Sequence, residues 1–345
     1  MIKKNKKILL SITAILFAGC LISLGLVYYY LFYPQFHPQK EAYIYIDRDD
    51  SLDSIYNKVL AKGEVQNFTG FKWIAKKENY AKKIHTGRYA IKPGDNAYHL
   101  FRRLERANQT PLNLTVRNVR TKERLARSIG KQLMIDSVEI ASKLMDSTFC
   151  AKMGYNQATI ICLFIPETYE VYWNISLDHF FKRMQKEHDK FWNKNRIAKA
   201  KAIGLTPEEV STIASIVEEE TNNNQEKPIV AGLYINRLHA SMPLQADPTI
   251  KFALQDFGLR RILNSQLKID SPYNTYRNIG LPPGPIRIPS VKGIDSVLNY
   301  VKHNYLYMCA KEDFSGTHNF ASTYHQHMAN ARKYWQALNK RKIFQ

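Results

Sequence analysis

Cysteine is scarce: four in 345 residues, and Cys150, Cys162 and Cys309 show neither C-x-x-C nor zinc-like spacing. An exported chain could join two of these three, but one thiol would be left over. Glycine (15) and proline (14) are too few for collagen or a low-complexity array, and no internal repeat is present. Acidic residues are short as well: 30 against 50 Lys and Arg, a formal charge of +20 that favours polyanionic partners. Nucleic acid, anionic lipid and bacterial wall polymers all meet that requirement. What is there in ordinary amount is apolar and charged content, 45% and 23%, which excludes wholesale disorder. The length suffices for two or three domains with real cores.

One stretch lacks charge altogether. Residues 8–33, ILLSITAILFAGCLISLGLVYYYLFY, would span roughly 39 Å as a helix, more than the ~30 Å hydrocarbon core of a bilayer. Lys3, Lys4, Lys6 and Lys7 precede it, and the flank through Gln39 has no Lys or Arg. The positive-inside rule therefore predicts a cytoplasmic tail over 1–7, a transmembrane helix over 8–33 and everything after Lys40 outside. Tyr28, Tyr29, Tyr30 and Tyr33 gather at the outer end, where amphipathic rings favour the headgroup level. A cleaved signal peptide would have a much shorter apolar run. A lipoprotein signal at Cys20 is disfavoured by the thirteen residues of apolar sequence beyond it. Without the four tail lysines the exported part keeps +16, so the basic surface faces the wall side and nucleic acid drops out as a partner.

Beyond the linker at Pro34–Pro38, alternation predicts a strand at Ala42–Asp47, and SLDSIYNKVLAKG from Ser51 reads as an amphipathic helix. A second helix (Phe68–Glu78), a strand (Gly87–Ile91), a helix capped by Asp95 (Ala97–Arg106) and a strand (Leu112–Val116) follow. Thr121–Leu144 and Phe180–Ile203 read as mostly helical, separated by LFIPETYEVYW (Leu163–Trp173), and Tyr324–Leu338 as a terminal amphipathic helix. The fold class expected is α+β.

The segment with most chemistry starts at Thr206, where Thr206, Pro207 and Glu209 form a capping box. In the helix that follows, Val210, Ile213, Ala214 and Val217 share one face. At 100° per residue Glu218 falls at about 80° from that stripe, Glu219 at about 180° and Glu220 at about 280°. Glu219 is then expected to face solvent, and the other two to flank apolar surface, which raises a carboxyl's pKa toward what a general acid needs. Small neighbours, Ala214 and Thr221, favour Glu218 over Glu220 as the carboxyl with room for a ligand. Three surface charges on a helix is the plain alternative.

IASIVEEET (Ile213–Thr221) resembles the glutamate motif of the endolytic murein transglycosylases, the MltG or YceG-like family. The resemblance continues in AGLYINRL (Ala231–Leu238), MPLQADPTI (Met242–Ile250), SPYNTYRNIGLPPGPI (Ser271–Ile286) and THNFASTYHQH (Thr317–His327), and upstream in TGRYAIKPG (Thr86–Gly94) and FIPETYEV (Phe164–Val171). It implies a single-span membrane protein with a LysM-like subdomain (41–117), a helical linking region (118–204) and a mixed α/β catalytic domain (205–345) on the wall side of the bacterial inner membrane. It also implies cleavage of nascent glycan between N-acetylmuramic acid and N-acetylglucosamine, leaving a 1,6-anhydromuramic end, with Glu218, the first glutamate after Ile-Val, as the essential residue. Strand termination beside peptidoglycan synthases is the expected setting.

That chemistry needs a single carboxyl, because the C6 hydroxyl of the cut muramic residue is the nucleophile. No cofactor or metal is expected; His325 and His327, two apart on a helix, point about 200° from each other. Glu220, Thr221, Asn236, Gln245, Asp247, Tyr273, Asn274 and Tyr276 are the candidate substrate-binding residues. Asp247 is a possible second carboxylate for a hydrolytic muramidase, and a non-catalytic wall-binding scaffold is the other alternative. The chain departs from the family where relatives read Glu-Gly and it reads Val116-Arg117-Asn118-Val119-Arg120, and where Pro289 precedes Ser290 instead of Gly.

Overall fold

The computed structural model describes residues 2–259 and 261–341. Its first element is α1 (Ile2–Leu31), which contains the charge-free run; within it Lys6–Leu31 holds an 18-residue window of mean hydropathy 2.4 with no buried residue, long and apolar enough to cross a membrane. The helix stops two residues short of the expected end. Pro34 biases Tyr33 away from helical dihedrals, and the amides of Phe32 and Tyr33 both turn back to the Tyr28 carbonyl.

The chain divides into two compact units, 1–113 with 170–175, and 114–169 with 176–345. In the first, β1 (Ala42–Ile46), α2 (Leu52–Gly63), α3 (Thr69–Lys77) and β2 (Gly87–Ile91) form a β-α-α-β arrangement, followed by α4 (Ala97–Glu105). β1 and β2 are antiparallel in the register Ala42↔Ile91 to Ile46↔Gly87. Ile44, Ile46, Ile55, Val59, Phe71 and Phe101 close the core beneath this strand pair. Asn96, not the expected Asp95, caps α4 by accepting from the His99 amide. Asp95 is instead buried, accepting from the Lys92 amide (2.8 Å) and pairing with Arg103 (2.6 Å). A cap needs extended backbone one residue before the helix, and the turn at Pro93-Gly94 puts that position at Asn96.

The chain leaves the first unit within β3 (Leu112–Thr115) and re-enters it briefly within β4 (Thr168–Val171). In the second unit the expected helical stretch 121–144 is two helices, α5 (Lys122–Gly130) and α6 (Ser137–Met145), followed by α7 (Ser147–Lys152). Asp136 starts α6 by capping Val138. The stretch 180–203 is likewise α8 (Leu177–Phe191) and α9 (Lys194–Ala202), because Asn193 caps a fresh start at Arg196. The rest is α10 (Pro207–Glu220), α11 (Lys227–His239), α12 (Asp247–Leu254), α13 (Val291–Leu298), the hairpin β5 (Tyr307–Ala310) and β6 (His318–Ala321), and α14 (Tyr324–Lys340). The mixed helix and strand content is the expected class.

α10 is the axis of this unit. Its capping box forms as read from the sequence, but the helix is not amphipathic in place: Val210 through Val217 are all buried, with α9, α11, α12 and α13 packed round it. Ser211 and Thr212 return their hydroxyls to the carbonyls four residues back, and Ser215 to the one three back, at 2.7–2.8 Å. Small self-satisfied hydroxyls cost little to bury, so a polar stripe need not mean a solvent face.

Candidate active site

The three consecutive carboxylates at the end of α10 have three different sets of partners. Glu218, with a side chain 8% exposed, points at the start of α13. It accepts the Ser290 amide at 2.9 Å and the Ser290 hydroxyl, with Arg287 at 3.7 Å and Lys227 at 3.6 Å. Gly293 makes room for it: a Cβ there would lie 3.2 Å from the carboxyl carbon. Glu218 thus ties α10 to α13 with every oxygen engaged.

Glu219 does not face solvent. Arg120 grips it through both oxygens at 2.8 Å and Arg287 adds a third contact at 2.9 Å. Burial opposes its ionisation, but the Arg120 hydrogen bonds and the two guanidinium charges outweigh it and hold the carboxyl below its ordinary pKa. Its stabilising effect is therefore present above the ordinary carboxylate pKa and lost as pH falls through the lowered one. Glu219→Gln is expected to cost about 1.5–3 kcal/mol, since it weakens charge-assisted bonds to two partly buried guanidiniums. Urea midpoints measured beside an exposed Glu→Gln control check this; equal midpoints would show that the network contributes nothing.

Glu220 alone of the three opens on a cleft. The cleft holds about 230 Å³ and is walled by Tyr234 and Arg237 of α11, Gln245, Asp247 and Tyr276, with Met308, Cys309 and Ala310 of β5 and His318 of β6. Tyr234, buried, donates to Glu220 at 2.7 Å. Burial pushes the Glu220 carboxyl up to about 7, with the Asp247 charge adding and the Tyr234 bond opposing. Its place in the last turn of α10, at the negative end of the helix, disfavours charge in the same sense. A carboxyl near 7 is a proton donor at neutral pH and a base once it has given the proton away.

The loops around it are held from below. Arg237, also buried, donates to the carbonyls of Leu306, Pro243 and Leu244 and to Gln245. Gln245 is exposed and takes φ +50°, pinned by its amide to Thr275. Asp247, exposed at the start of α12, accepts from the Tyr276 hydroxyl at 2.5 Å. His318 is fixed on the cleft wall by Glu226, which accepts both its amide (2.7 Å) and its ring (2.9 Å).

Of the residues expected to bind substrate, Glu220, Gln245, Asp247 and Tyr276 come together in this cleft. The others lie elsewhere. Thr221 is buried as the cap of α10 and accepts from Asn223. Asn236 donates to the carbonyls of His303 and Tyr305. Asn274, fully buried, donates to those of Leu267 and Ile269. Tyr273 packs at a tilt against Phe252, ring centres 4.7 Å apart, and lines a separate hollow with Arg120, Thr121 and Gln157. Tyr234, Arg237 and Ser290 were not singled out by sequence reasoning. Tyr234 and Arg237 sit within AGLYINRL among apolar residues, and nothing local marks them as polar partners of a loop and a carboxyl.

Fold and site together define a class: a two-unit chain of mixed helix and strand, led by one long apolar helix, with an acidic and aromatic cleft at the end of a buried helix. Residues 44–333 match the model of the YceG-like family, and the chain belongs to that family. It is 27% identical over 303 residues to the endolytic murein transglycosylase of Streptococcus pneumoniae, covering 79% of this chain and 54% of the relative. With that of Bacillus subtilis it shares 34% over 168 residues, 48% of this chain and 45% of the relative. The chain thus spans about half the length of the curated relatives it matches. A crystal structure of a YceG-like protein from Listeria monocytogenes has the same fold, with a TM-score of 0.56 at 24% identity over 84% of this chain and 99% of that one.

Proposed function

We propose that this chain is a membrane-anchored endolytic transglycosylase of peptidoglycan, with Glu220 as its acid and base. The observation that carries the reading is a carboxyl that opens on a polar cleft and is held by a buried tyrosine, with its pKa pushed by burial up to about 7. The family and the names of its curated relatives supply the substrate class.

In the step proposed, Glu220 gives its proton to the glycosidic oxygen between N-acetylmuramic acid and N-acetylglucosamine as the bond to C1 breaks. The C6 hydroxyl of the same muramic residue then bonds to C1, and its proton passes to the Glu220 carboxylate. The product carries a 1,6-anhydro ring, no water is consumed, and Glu220 ends protonated as it began. Tyr234 keeps the carboxyl oriented throughout. Gln245, Asp247 and Tyr276 offer the hydroxyl and amide contacts that a sugar ring needs, on loops fixed by Arg237 and Thr275. Geometry supports Glu220 over Glu218 because the Glu218 oxygens are engaged by Ser290 and lie beside two cations.

The wider reading follows the sequence: tail inside, α1 across the membrane, and the rest on the wall side, where cutting would end strand growth beside peptidoglycan synthases. The β-α-α-β unit is read as LysM-like. Mass spectrometry of un-crosslinked glycan after digestion tests the reaction. Anhydro ends are expected; new reducing ends would mean a hydrolase in which Asp247 activates water, and uncut glycan would leave a wall-binding scaffold.

A further inference from the structure

α3 has an outward face unlike the rest of its unit. Thr69, Lys72, Trp73, Lys76 and Lys77 are all exposed on one side of it, Trp73 by 52%, and the helix contains no acidic residue. Lys77 lies over the Trp73 ring at 4.8 Å, and Lys82 and Lys83, both exposed, follow in the next turn. On a surface bathed in water this would be an exposed tryptophan amid like charges.

Its position relative to α1, in the same unit, gives it a different setting. Gly70 crosses α1 so closely that a Cβ would meet the Tyr30 carbonyl oxygen at 1.9 Å, so the two helices are locked in one arrangement. Trp73, Thr69 and Gly70 then enclose, with Leu26, Val27, Tyr30 and Leu31, a hollow of about 280 Å³ walled almost entirely by apolar groups. Leu26 and Val27 belong to the span, about 7 Å along the axis from its end at Leu31. The Trp73 ring is therefore level with the outermost turns of the membrane-crossing helix.

We propose that α3 is a second, interfacial membrane anchor: Trp73 sits at the acyl–headgroup boundary, an acyl chain of that leaflet fills the hollow, and Lys72, Lys76 and Lys77 bind the phosphates of anionic phospholipids. An indole is at home at that depth, and lysines beside it reach the headgroups with their stems in the apolar layer. The α1 wall of the hollow, Leu26, Val27, Tyr30 and Leu31, belongs to the uncharged run 8–33 that a bilayer would cover. The proposal rests on reading α1 as a membrane span.

The full chain, reconstituted in phosphatidylcholine bilayers with and without phosphatidylglycerol, tests it with lipids brominated near the headgroup end of the acyl chain. The difference between the parent and Trp73→Phe isolates the Trp73 emission. That emission should be quenched, more strongly with phosphatidylglycerol, and a Lys72→Glu, Lys76→Glu, Lys77→Glu variant should lose the anionic-lipid increment. Equal quenching of parent and Trp73→Phe, in a chain that resists alkaline carbonate extraction, would overturn the anchor while leaving the span intact. Quenching indifferent to phosphatidylglycerol would overturn the headgroup assignment. Extraction of the chain by carbonate would remove the span itself, and the proposal with it.

Discussion

Glu220→Gln is expected to slow formation of anhydro ends by about a hundred- to ten-thousandfold per folded molecule, the usual worth of a general acid–base group. The amide keeps the size of the carboxyl and can still accept from Tyr234, but has no proton to give the leaving oxygen. The fold should tolerate it, because with its pKa pushed up to about 7 the parent carboxyl is already about half neutral at pH 7. Glu218→Gln is the necessary comparison. It removes the carboxylate charge beside Lys227, leaves Arg287 with Glu219 alone and loosens the tie to α13, so melting temperature should fall while the rate per folded molecule changes little. Both variants, assayed on the same un-crosslinked glycan with folded fractions measured by circular dichroism, decide the acid. A dead Glu218→Gln beside an active Glu220→Gln would assign it to Glu218, and Asp247→Asn in the same series identifies any second carboxylate.

The rate should also fall steeply in alkali. With Glu220 at about 7 and the acid form active, each pH unit above that removes roughly nine-tenths of the competent molecules, so the rate at about pH 9 should be near one-hundredth of the maximum. Tyr234→Phe deletes the hydrogen bond that favours the charged form, so its alkaline limb should shift to higher pH. Initial rates of anhydro product across pH read both effects, and a flat alkaline limb in the parent would remove Glu220 as the donor. Stability carries the same signature. The folded pKa lies above the ordinary value of 4.5, so Glu220 contributes fully below that value, and the contribution is lost as pH rises through about 7. Glu220→Gln should abolish that slope.

Much of the architecture is local and could be read locally. Alternation placed β1, Gly87–Ile91 placed β2, and Thr206, Pro207 and Glu209 announced the start of α10 because a capping box is made by residues three apart. The ordered motifs from Thr86 to His327 sufficed for the family, since they report sequence and not packing. The misplacement of Glu219 has one origin. Projecting α10 on a wheel assumes one buried face, and here neighbours surround the helix, so Glu219 meets arginines where water was expected. One of those arginines, Arg120, comes from the segment that departs from the family pattern, 99 residues away in sequence. Ser290, another departure, supplies the hydroxyl that binds Glu218.

By itself the sequence determined the apolar helix, the order of strands and helices from β1 to β3, the family, and a run of three glutamates at the end of one helix. Those are properties of neighbours along the chain, carried by periodicity, caps and motif spacing. What surrounds each glutamate was decided only by the tertiary structure. α13 takes up the first carboxyl, Arg120 and Arg287 the second, and α11 with the β5–β6 hairpin leaves the third at a cleft, under a tyrosine. A carboxyl's partners and burial arise from elements tens of residues apart, and those set its protonation.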